Sequence, residues 1–190
     1  MNEPTAPTTN DFHFRPALTS DSSEMAGISG QLESFDNPSG YLPSSLTQAE
    51  FQVTIASYVV AVDAARQTVA GYVRTDPAED AESMESLDWV SEEARLKFRN
   101  ARTHYIGQIA VAPGSMGRGV GRFMYETLSA LNPHTALYSY ILLTPVANHA
   151  SESFHAAVGF TPIATHTSED MFRGFNGYSS RLWFRSATTQ

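Results

Sequence analysis

The chain has 190 residues, a hydrophobic fraction of 42% and a net charge of −8, values typical of a single folded globular domain. The absence of cysteine excludes disulfides, a thiolate nucleophile and cysteine metal ligands. The acidic balance argues against a nucleic-acid partner, and no apolar run approaches the roughly 20 residues of a membrane span.

The N-terminal part of the chain predicts strands and helices in alternation. Residues 1–10 are polar and lack a basic or apolar signal, so we expect a disordered leader and a cytoplasmic location. Each predicted helix begins at a capping box, and the two later strands are close enough in sequence to form a hairpin. In chain order these elements are a strand at Phe12–Pro16, helices that begin at Asp21 with Glu24 and at Thr47 with Glu50, and strands at Tyr58–Asp63 and Thr68–Arg74.

The segment Asp76–Asn100 is acidic and helical in composition. Its apolar residues recur at spacings of three and four, which predicts a helical insertion between the third and fourth strands. Eight acidic residues lie between Asp76 and Glu93. Two interpretations stay open: a solvated amphipathic helix, with a homodimer contact as a further option, or a lid or wall beside a substrate site.

A strand, a glycine-rich turn and a helix then follow in direct succession. His104–Ala112 predicts the strand, residues 114–121 contain four glycines, and Val120–Leu131 is amphipathic. Such a turn presents backbone N–H groups at the positive end of a helix and lets a polyphosphate approach closely. Neither the lysine of a Walker loop nor the acidic residue of a dinucleotide site follows. The pattern therefore indicates a pyrophosphate ligand without identifying it.

The C-terminal part of the chain predicts three more strands and one helix. Leu137–Leu143, Phe160–Thr165 and Tyr178–Arg185 are the strands, and a helix lies between the first two. The six histidines are scattered without the spacing of a metal site, so no metal is expected.

Two motifs in this order resemble those of the GNAT superfamily of acyl-CoA-dependent N-acetyltransferases. In that family a strand ending in V-x-P precedes an R/Q-x-x-G-x-G/A loop, and an N-x-x-A/S-x-x-F-Y-x-x-x-G-F segment follows one strand later. Here Met116–Gly121 reads MGRGVG and Asn148–Phe160 reads NHASESFHAAVGF. The resemblance implies an α/β fold with a mixed, twisted, mostly antiparallel sheet of about seven strands flanked by helices. It would form one domain over residues 11–186.

The resemblance also implies that acetyl-CoA binds as a co-substrate, without a metal. Backbone groups of the strand would hold the pantetheine arm, and amides of the turn would hold the pyrophosphate with help from two arginines. Asn148 and Ser151 would contact the lower pantetheine or the adenosine. Alternatively, Arg118 is a solvated surface residue and Asn148 only caps the following helix. The implied binding residues are Ile109, Ala110, Val111, Met116, Gly117, Arg118, Gly119, Val120, Gly121, Arg122, Asn148 and Ser151.

The sequence departs from the family pattern at three positions. Met116 replaces the usual arginine or glutamine, so only its amide can bind phosphate. His155 replaces the tyrosine that protonates the thiolate of CoA, and it is either a general acid or a packed residue. Gln108, beside Gly107, stands where many members carry a carboxylate base, and an amide cannot accept the proton. The proton would pass through water to Tyr105, His104 or an acid of residues 76–93.

These observations predict an N-acyltransferase that moves acetyl from acetyl-CoA to a primary amine of a small molecule by direct attack in a ternary complex. The acidic front half of the chain favours a cationic acceptor such as a polyamine or amino sugar. Two alternatives stay open. One is a catalytically weak acyl-CoA-binding sensor or assembly module, and the other is a protein or peptide N-acetyltransferase.

Overall fold

A computed structural model describes residues 11–77, 84 and 86–187. Within that part of the chain, five α-helices flank one eight-stranded sheet. The strands are β1 (Phe12–Pro16), β2 (Tyr58–Asp63), β3 (Val69–Asp76), β4 (Asp88–Trp89), β5 (Thr103–Val111), β6 (Ala136–Thr144), β7 (Thr161–Phe172) and β8 (Phe175–Arg185). The helices are α1 (Ser22–Gln31), α2 (Gln48–Thr54), α3 (Glu92–Arg99), α4 (Val120–Leu131) and α5 (His149–Ala157).

A gap between β5 and β6 interrupts the middle of the sheet. The strand order is β1-β2-β3-β5-β6-β8-β7-β4, and all neighbouring pairs are antiparallel except the parallel β5–β6 pair. Pairing of β5 with β6 ends at Tyr105–Tyr138, although β5 continues to Val111 and β6 to Thr144. The two strands therefore separate. The predicted α/β fold with a mixed, mostly antiparallel sheet is confirmed.

Helix α4 packs against the sheet beside this gap. Its buried residues Val120, Met124, Tyr125 and Leu128 recur every three or four positions, so they form one apolar face. This face shares a core cluster with Ile106 of β5. Burial of each such side chain contributes roughly 1.5–3 kcal/mol. The packing fixes the N-terminus of α4 next to the end of β5.

The segment between β3 and β5 differs from the single helix that its composition predicted. In its described part, α3 covers only Glu92–Arg99, and β4 adds an eighth strand by pairing with β7. Leu87 and Phe98 are buried against the β6–β8–β7 end of the sheet. The spacing of apolar residues in this segment did not show whether they lie on one face of a helix or pack one by one against the sheet. The acids at 79, 80, 82 and 85 lie outside the described residues.

Strands β7 and β8 form a longer hairpin than the sequence predicted. They continue through the segment 169–177 and turn at Arg173 and Gly174, which both have positive φ angles (+48° and +86°). The added part contains Glu169, Asp170, Asn176 and two glycines, residue types that are depleted in strands, and these outweighed Phe172 and Phe175 in the prediction. The hairpin therefore extends to the level of the α1–α2 connection.

One predicted capping box is wrong and the other is confirmed. The Asp21 carboxylate accepts hydrogen bonds from Arg15, at 2.7 and 2.8 Å, and Glu24 accepts one from the Val69 amide. Both acids are therefore used in tertiary contacts. At the start of α2, Thr47 and Glu50 bond reciprocally to each other's backbone amides.

The described residues include neither a membrane-spanning helix nor a metal-binding cluster. No helix there has the length and apolar character needed to cross a bilayer. No group of three or more histidine, aspartate and glutamate side chains there is arranged to hold a metal ion.

Candidate active site

Two cavities adjoin each other at the β5–β6 gap. The first has a volume of about 480 Å³ and lies between the glycine-rich turn and the start of α5. The second has a volume of about 650 Å³ and lies over β5, β6, β7 and β8. Five residues line both cavities, so the two spaces share a wall. These residues are Tyr41, Leu42, Ile109, Asn148 and Ser151.

The glycine-rich turn forms one end of the first cavity. Gly117 and Gly119 have φ angles of +75° and +78°, a conformation that side chains disfavour, and Gly119 is the N-cap of α4. The first amides of an α-helix have no acceptor within the helix, so Val120, Gly121 and Arg122 offer donors there. Except for Arg118, all the turn residues predicted to bind pyrophosphate line this cavity, namely Met116, Gly117, Gly119, Val120, Gly121 and Arg122.

Gly121 also allows helices α4 and α5 to approach each other. A Cβ atom at Gly121 would lie 2.7 Å from the Phe154 ring, which is a steric overlap. Phe154 is part of the same cavity wall. The third glycine of the motif is therefore required for helix packing, which in turn sets the width of the cavity.

Strand β5 forms the floor of the first cavity. Ile109, Ala110 and Val111, the strand residues for which pantetheine contacts are predicted, all line it. Their other edge pairs with β3, whereas the edge toward β6 faces the gap. Backbone groups along this edge are therefore placed to bond an extended ligand chain.

The two arginines of the turn have different environments. Arg118 forms an ion pair with Asp63 and lies over the Phe12 ring at 5.0 Å, so it is not part of the cavity wall. Within this ion pair Arg118 donates a hydrogen bond to the Asp63 carboxylate, and that bond is the main reason why the pKa of Asp63 is lowered to about 2. Arg122 donates to the Ala157 carbonyl at 3.0 Å and is the only charged residue among the described residues that line the cavity. The phosphate contact of Arg122 therefore stays a prediction that its position allows. The ion pair of Arg118 with Asp63 does not favour a phosphate contact by Arg118.

Asn148 joins two parts of the shared wall. Its Oδ1 accepts a hydrogen bond from the Ser151 amide at 3.2 Å, which caps α5, and its Nδ2 donates to the Tyr41 carbonyl at 2.8 Å. The Tyr41 hydroxyl donates to the Val146 carbonyl, and burial raises the pKa of Tyr41 to about 12. Sequence reasoning missed Tyr41, because nothing in its local pattern separates it from a core tyrosine.

His155 is buried, with only 1% of its surface exposed. Its Nδ1 lies 2.8 Å from the Ser151 carbonyl, so that nitrogen donates, and Nε2 accepts from the Tyr125 hydroxyl at 2.8 Å. Burial lowers the pKa of His155 to about 4, so the ring is neutral near pH 7. Because both nitrogens have partners, this geometry favours the packed interpretation of His155 over a general acid.

The predicted catalytic residues of β5 lie on the wall of the second cavity. Tyr105 stacks on Tyr138 with a centroid distance of 5.2 Å, and Gln108 Nε2 donates to the Ser44 carbonyl at 3.1 Å. Gly107 lies between them, and a Cβ atom there would be 2.6 Å from Asp76 Oδ2. A carboxylate from β3 therefore occupies the space of the missing side chain. The sequence indicated Asp76 only as one member of a group of acids.

This site combines helix-end amides, an open strand edge and a second cavity that reaches the same strand, an arrangement suited to bringing two substrates together. Residues 30–160 match the sequence model of the acetyltransferase (GNAT) family, and this range covers more than half of the chain. The chain belongs to the GNAT family of acetyltransferases.

Solved structures with the same fold share little sequence with this chain. A phosphinothricin acetyltransferase from Sinorhizobium meliloti in complex with AcCoA has a TM-score of 0.61 at 17% identity, over 94% of this chain and 89% of that one. NAA60 of Arabidopsis thaliana in complex with a bisubstrate analogue has a TM-score of 0.63 at 16% identity, over 94% and 99%. The putative acetyltransferase yncA of Salmonella typhimurium, with AcCoA, has a TM-score of 0.62 at 14% identity, over 95% and 96%. No curated protein matches the sequence.

Proposed function

We propose that the protein is an acyl-CoA-dependent N-acyltransferase that transfers acetyl from acetyl-CoA to a primary amine of a small molecule. Acetyl-CoA supplies the acetyl group as a thioester, and the products are an amide and the free thiol of CoA. The observation that carries this proposal is the shared wall of the two cavities at the β5–β6 gap. A donor in the first cavity and an acceptor in the second would meet there.

The first cavity suits the CoA part of the donor. The helix-end amides of Val120, Gly121 and Arg122 and the Arg122 side chain would hold the pyrophosphate. The β6-facing edge of Ile109–Val111 would bond the amide groups of pantetheine, as a further strand bonds a sheet edge. In this arrangement the chain extends from the turn to the shared wall. The acetyl group would then lie beside Ile109.

Asp76 is the group to which we assign removal of the amine proton. Its carboxylate lies over Gly107, which is part of the wall of the second cavity, and is held there by Arg74 Nε at 2.9 Å. A water between Asp76 and the substrate nitrogen would carry the proton. Gln108 cannot accept it, but its hydrogen bond to Ser44 positions the loop on the opposite wall.

The leaving thiolate does not require His155 as an acid. A thiol has an ordinary pKa of about 8.5, so a thiolate can leave near neutral pH without prior protonation. The buried, neutral imidazole of His155 instead links α5 to α4 through the Tyr125 hydroxyl. We therefore treat His155 as a residue that positions the wall of the second cavity.

A thiol-release assay with acetyl-CoA and a panel of primary amines tests the proposal. We expect CoA thiol and acetylated amine in equal amounts, with mass spectrometry identifying the amide. Thiol release without amide would indicate hydrolysis and contradict the proposal. Stabilisation by acetyl-CoA without any turnover would support the sensor or assembly module instead. Turnover confined to peptides would support the peptide acetyltransferase.

A further inference from the structure

We infer that the second cavity selects a small primary amine that carries a planar aromatic ring. This inference rests on the proposed function and specifies the acceptor class. Four adjacent strands of the sheet, β5, β6, β8 and β7, contribute rings to one wall of the cavity.

The wall consists of neighbouring aromatic rings in close contact. Tyr105 and Tyr140 have centroids 6.0 Å apart, and Tyr140 and His166 are also 6.0 Å apart. The row continues from His166 to Tyr178 at 5.7 Å and from Tyr178 to Phe172 at 5.3 Å. All five rings line the second cavity. Pairs at these distances prefer tilted or offset arrangements, so a flat ligand ring can add to the row by the same interaction.

The lining of the second cavity contains no aspartate, glutamate, lysine or arginine among the residues that the structure describes. Its polar side chains include the hydroxyls of Ser44, Ser139 and Ser180. A polyamine with several ammonium groups, or a sugar with many hydroxyls, would lose hydration here and find few partners. An amine with one ammonium and an apolar flat group matches the wall better.

A contact between two elements lies next to the second cavity. At the tip of the β7–β8 hairpin, Arg173 donates to the Glu33 carbonyl at 3.1 Å and lies over the Phe35 ring at 4.5 Å. Phe35 in turn contacts Tyr41 at 4.7 Å and Phe175 at 6.3 Å, measured between ring centroids. The hairpin and the loop after α1 therefore touch each other beside Tyr41, which lines the cavity. This boundary favours a small molecule over an extended polypeptide.

Three acceptor amines test whether the second cavity selects a planar ring, any apolar group or a high positive charge. 2-Phenylethylamine and 2-cyclohexylethylamine carry the same ammonium and chain length, but only the first is planar, and spermidine represents a polycation. We expect kcat/KM for 2-phenylethylamine to exceed that for 2-cyclohexylethylamine by about 3- to 10-fold, the range of one or two aromatic pairs. Spermidine should be the poorest of the three. Equal rates for the two ring amines, or preference for spermidine, would overturn the inference.

Two variants test whether the row of aromatic rings causes the preference for 2-phenylethylamine over 2-cyclohexylethylamine. Tyr178→Leu removes one ring of the row while leaving an apolar side chain, so the phenyl-to-cyclohexyl ratio should fall toward one. Phe14→Leu is the matched control, because Phe14 is a half-buried ring on β1, at the far edge of the sheet. The ratio should stay at the wild-type value in that control. An unchanged ratio in Tyr178→Leu would contradict the inference.

Calorimetric binding of the three amines to the CoA-bound protein distinguishes failure of this inference from failure of the proposed function. Preferred binding of 2-phenylethylamine without turnover would support the aromatic site and contradict the acyltransferase. Turnover of spermidine with no preference for the aromatic amine would support the acyltransferase and overturn the aromatic site. Neither binding nor turnover of any amine would contradict both.

Discussion

The glycine-rich turn and the end of α4 border the first cavity, whereas aromatic side chains from four strands form a wall of the second. The first depends on Gly117 and Gly119 and on the end of α4, features that are contiguous in sequence. The second depends on rings as distant in sequence as Tyr105 and Tyr178. A common ligand part can therefore bind at a local motif, while acceptor choice depends on the long-range arrangement of the sheet.

The largest effect is expected for Gly119→Asp, which tests the first cavity. An aspartate at φ +78° adds a negative charge beside the helix-end amides. Acetyl-CoA should raise the melting temperature of the wild type but not that of the variant, since the shift follows RT ln(1 + [L]/Kd). We expect affinity to fall by more than about 100-fold, or about 2.7 kcal/mol.

Two controls separate charge from backbone strain in that experiment. Gly119→Asn has the same shape without the charge, and asparagine tolerates positive φ, so a large part of the shift should remain. Gly114→Asp adds the same charge in open space, and Gly114 is not part of the cavity wall. Equal shifts in the wild type and Gly119→Asp would show that the turn does not bind the pyrophosphate.

The next effect concerns Asp76 and the second cavity. Asp76→Asn should lower kcat by roughly 10²-fold, in the range of general bases, and leave the affinity for CoA unchanged. Adding Gly107→Asp to an Asp76→Ala variant, whose shortened side chain frees the space over Gly107, returns a carboxylate there, so part of the activity should be restored.

The control for this experiment is Asp88→Asn, which removes an exposed acid on β4 and should keep full activity. Wild-type turnover in Asp76→Asn would remove Asp76 from the mechanism.

A smaller effect is expected for His155→Gln, mainly on stability. The folded-state pKa of about 4 lies below the ordinary histidine value of 6.5, so the unfolded chain binds a proton first as the pH falls. His155 therefore destabilises the wild type progressively from pH 6.5 toward pH 4, by roughly 3 kcal/mol at the lower limit.

Glutamine does not titrate, so denaturant unfolding of His155→Gln should show a weaker dependence on pH over the same range. Turnover should stay within about threefold of the wild type. A loss of about 100-fold in kcat, as expected for a general acid, would restore the catalytic interpretation of His155.

The smallest effect compares the two arginines of the turn. Arg122→Gln should weaken acetyl-CoA binding by about fivefold, since Arg122 lines the first cavity but is partly exposed. Arg118→Gln should change the affinity by less than about twofold and instead lower stability, because Asp63 loses its partner. Isothermal titration of both variants checks this. The reverse order of affinities would place the Arg118 side chain in the site.

The motif beside the first cavity could be recognised in the sequence because it is local. The strand, the glycine turn and the helix that follows are adjacent in the chain, and the positive φ angles of Gly117 and Gly119 agree with the residue type that the pattern places there. The direction of the Arg118 side chain could not be predicted, because it depends on Asp63, which is 55 residues away in the chain.

The second cavity was mostly hidden from sequence analysis. Its wall depends on the order of β5, β6, β8 and β7 and on the extended hairpin, whose polar residues do not resemble a strand. The role of Asp76 depends on its register opposite Tyr105 across a bulge in the β3–β5 pairing. Such registers are set by tertiary packing rather than by local propensity.

The central claim is that the two cavities hold a donor and an acceptor at one shared wall. A conjugate that joins the sulfur of CoA to the nitrogen of 2-phenylethylamine through an acetyl spacer measures this directly by isothermal titration. The account predicts that the conjugate binds at least about 100-fold more tightly than CoA, because one molecule fills both cavities. It also predicts that Gly119→Asp and Tyr178→Leu each weaken that binding. A conjugate that binds no more tightly than CoA would contradict the account.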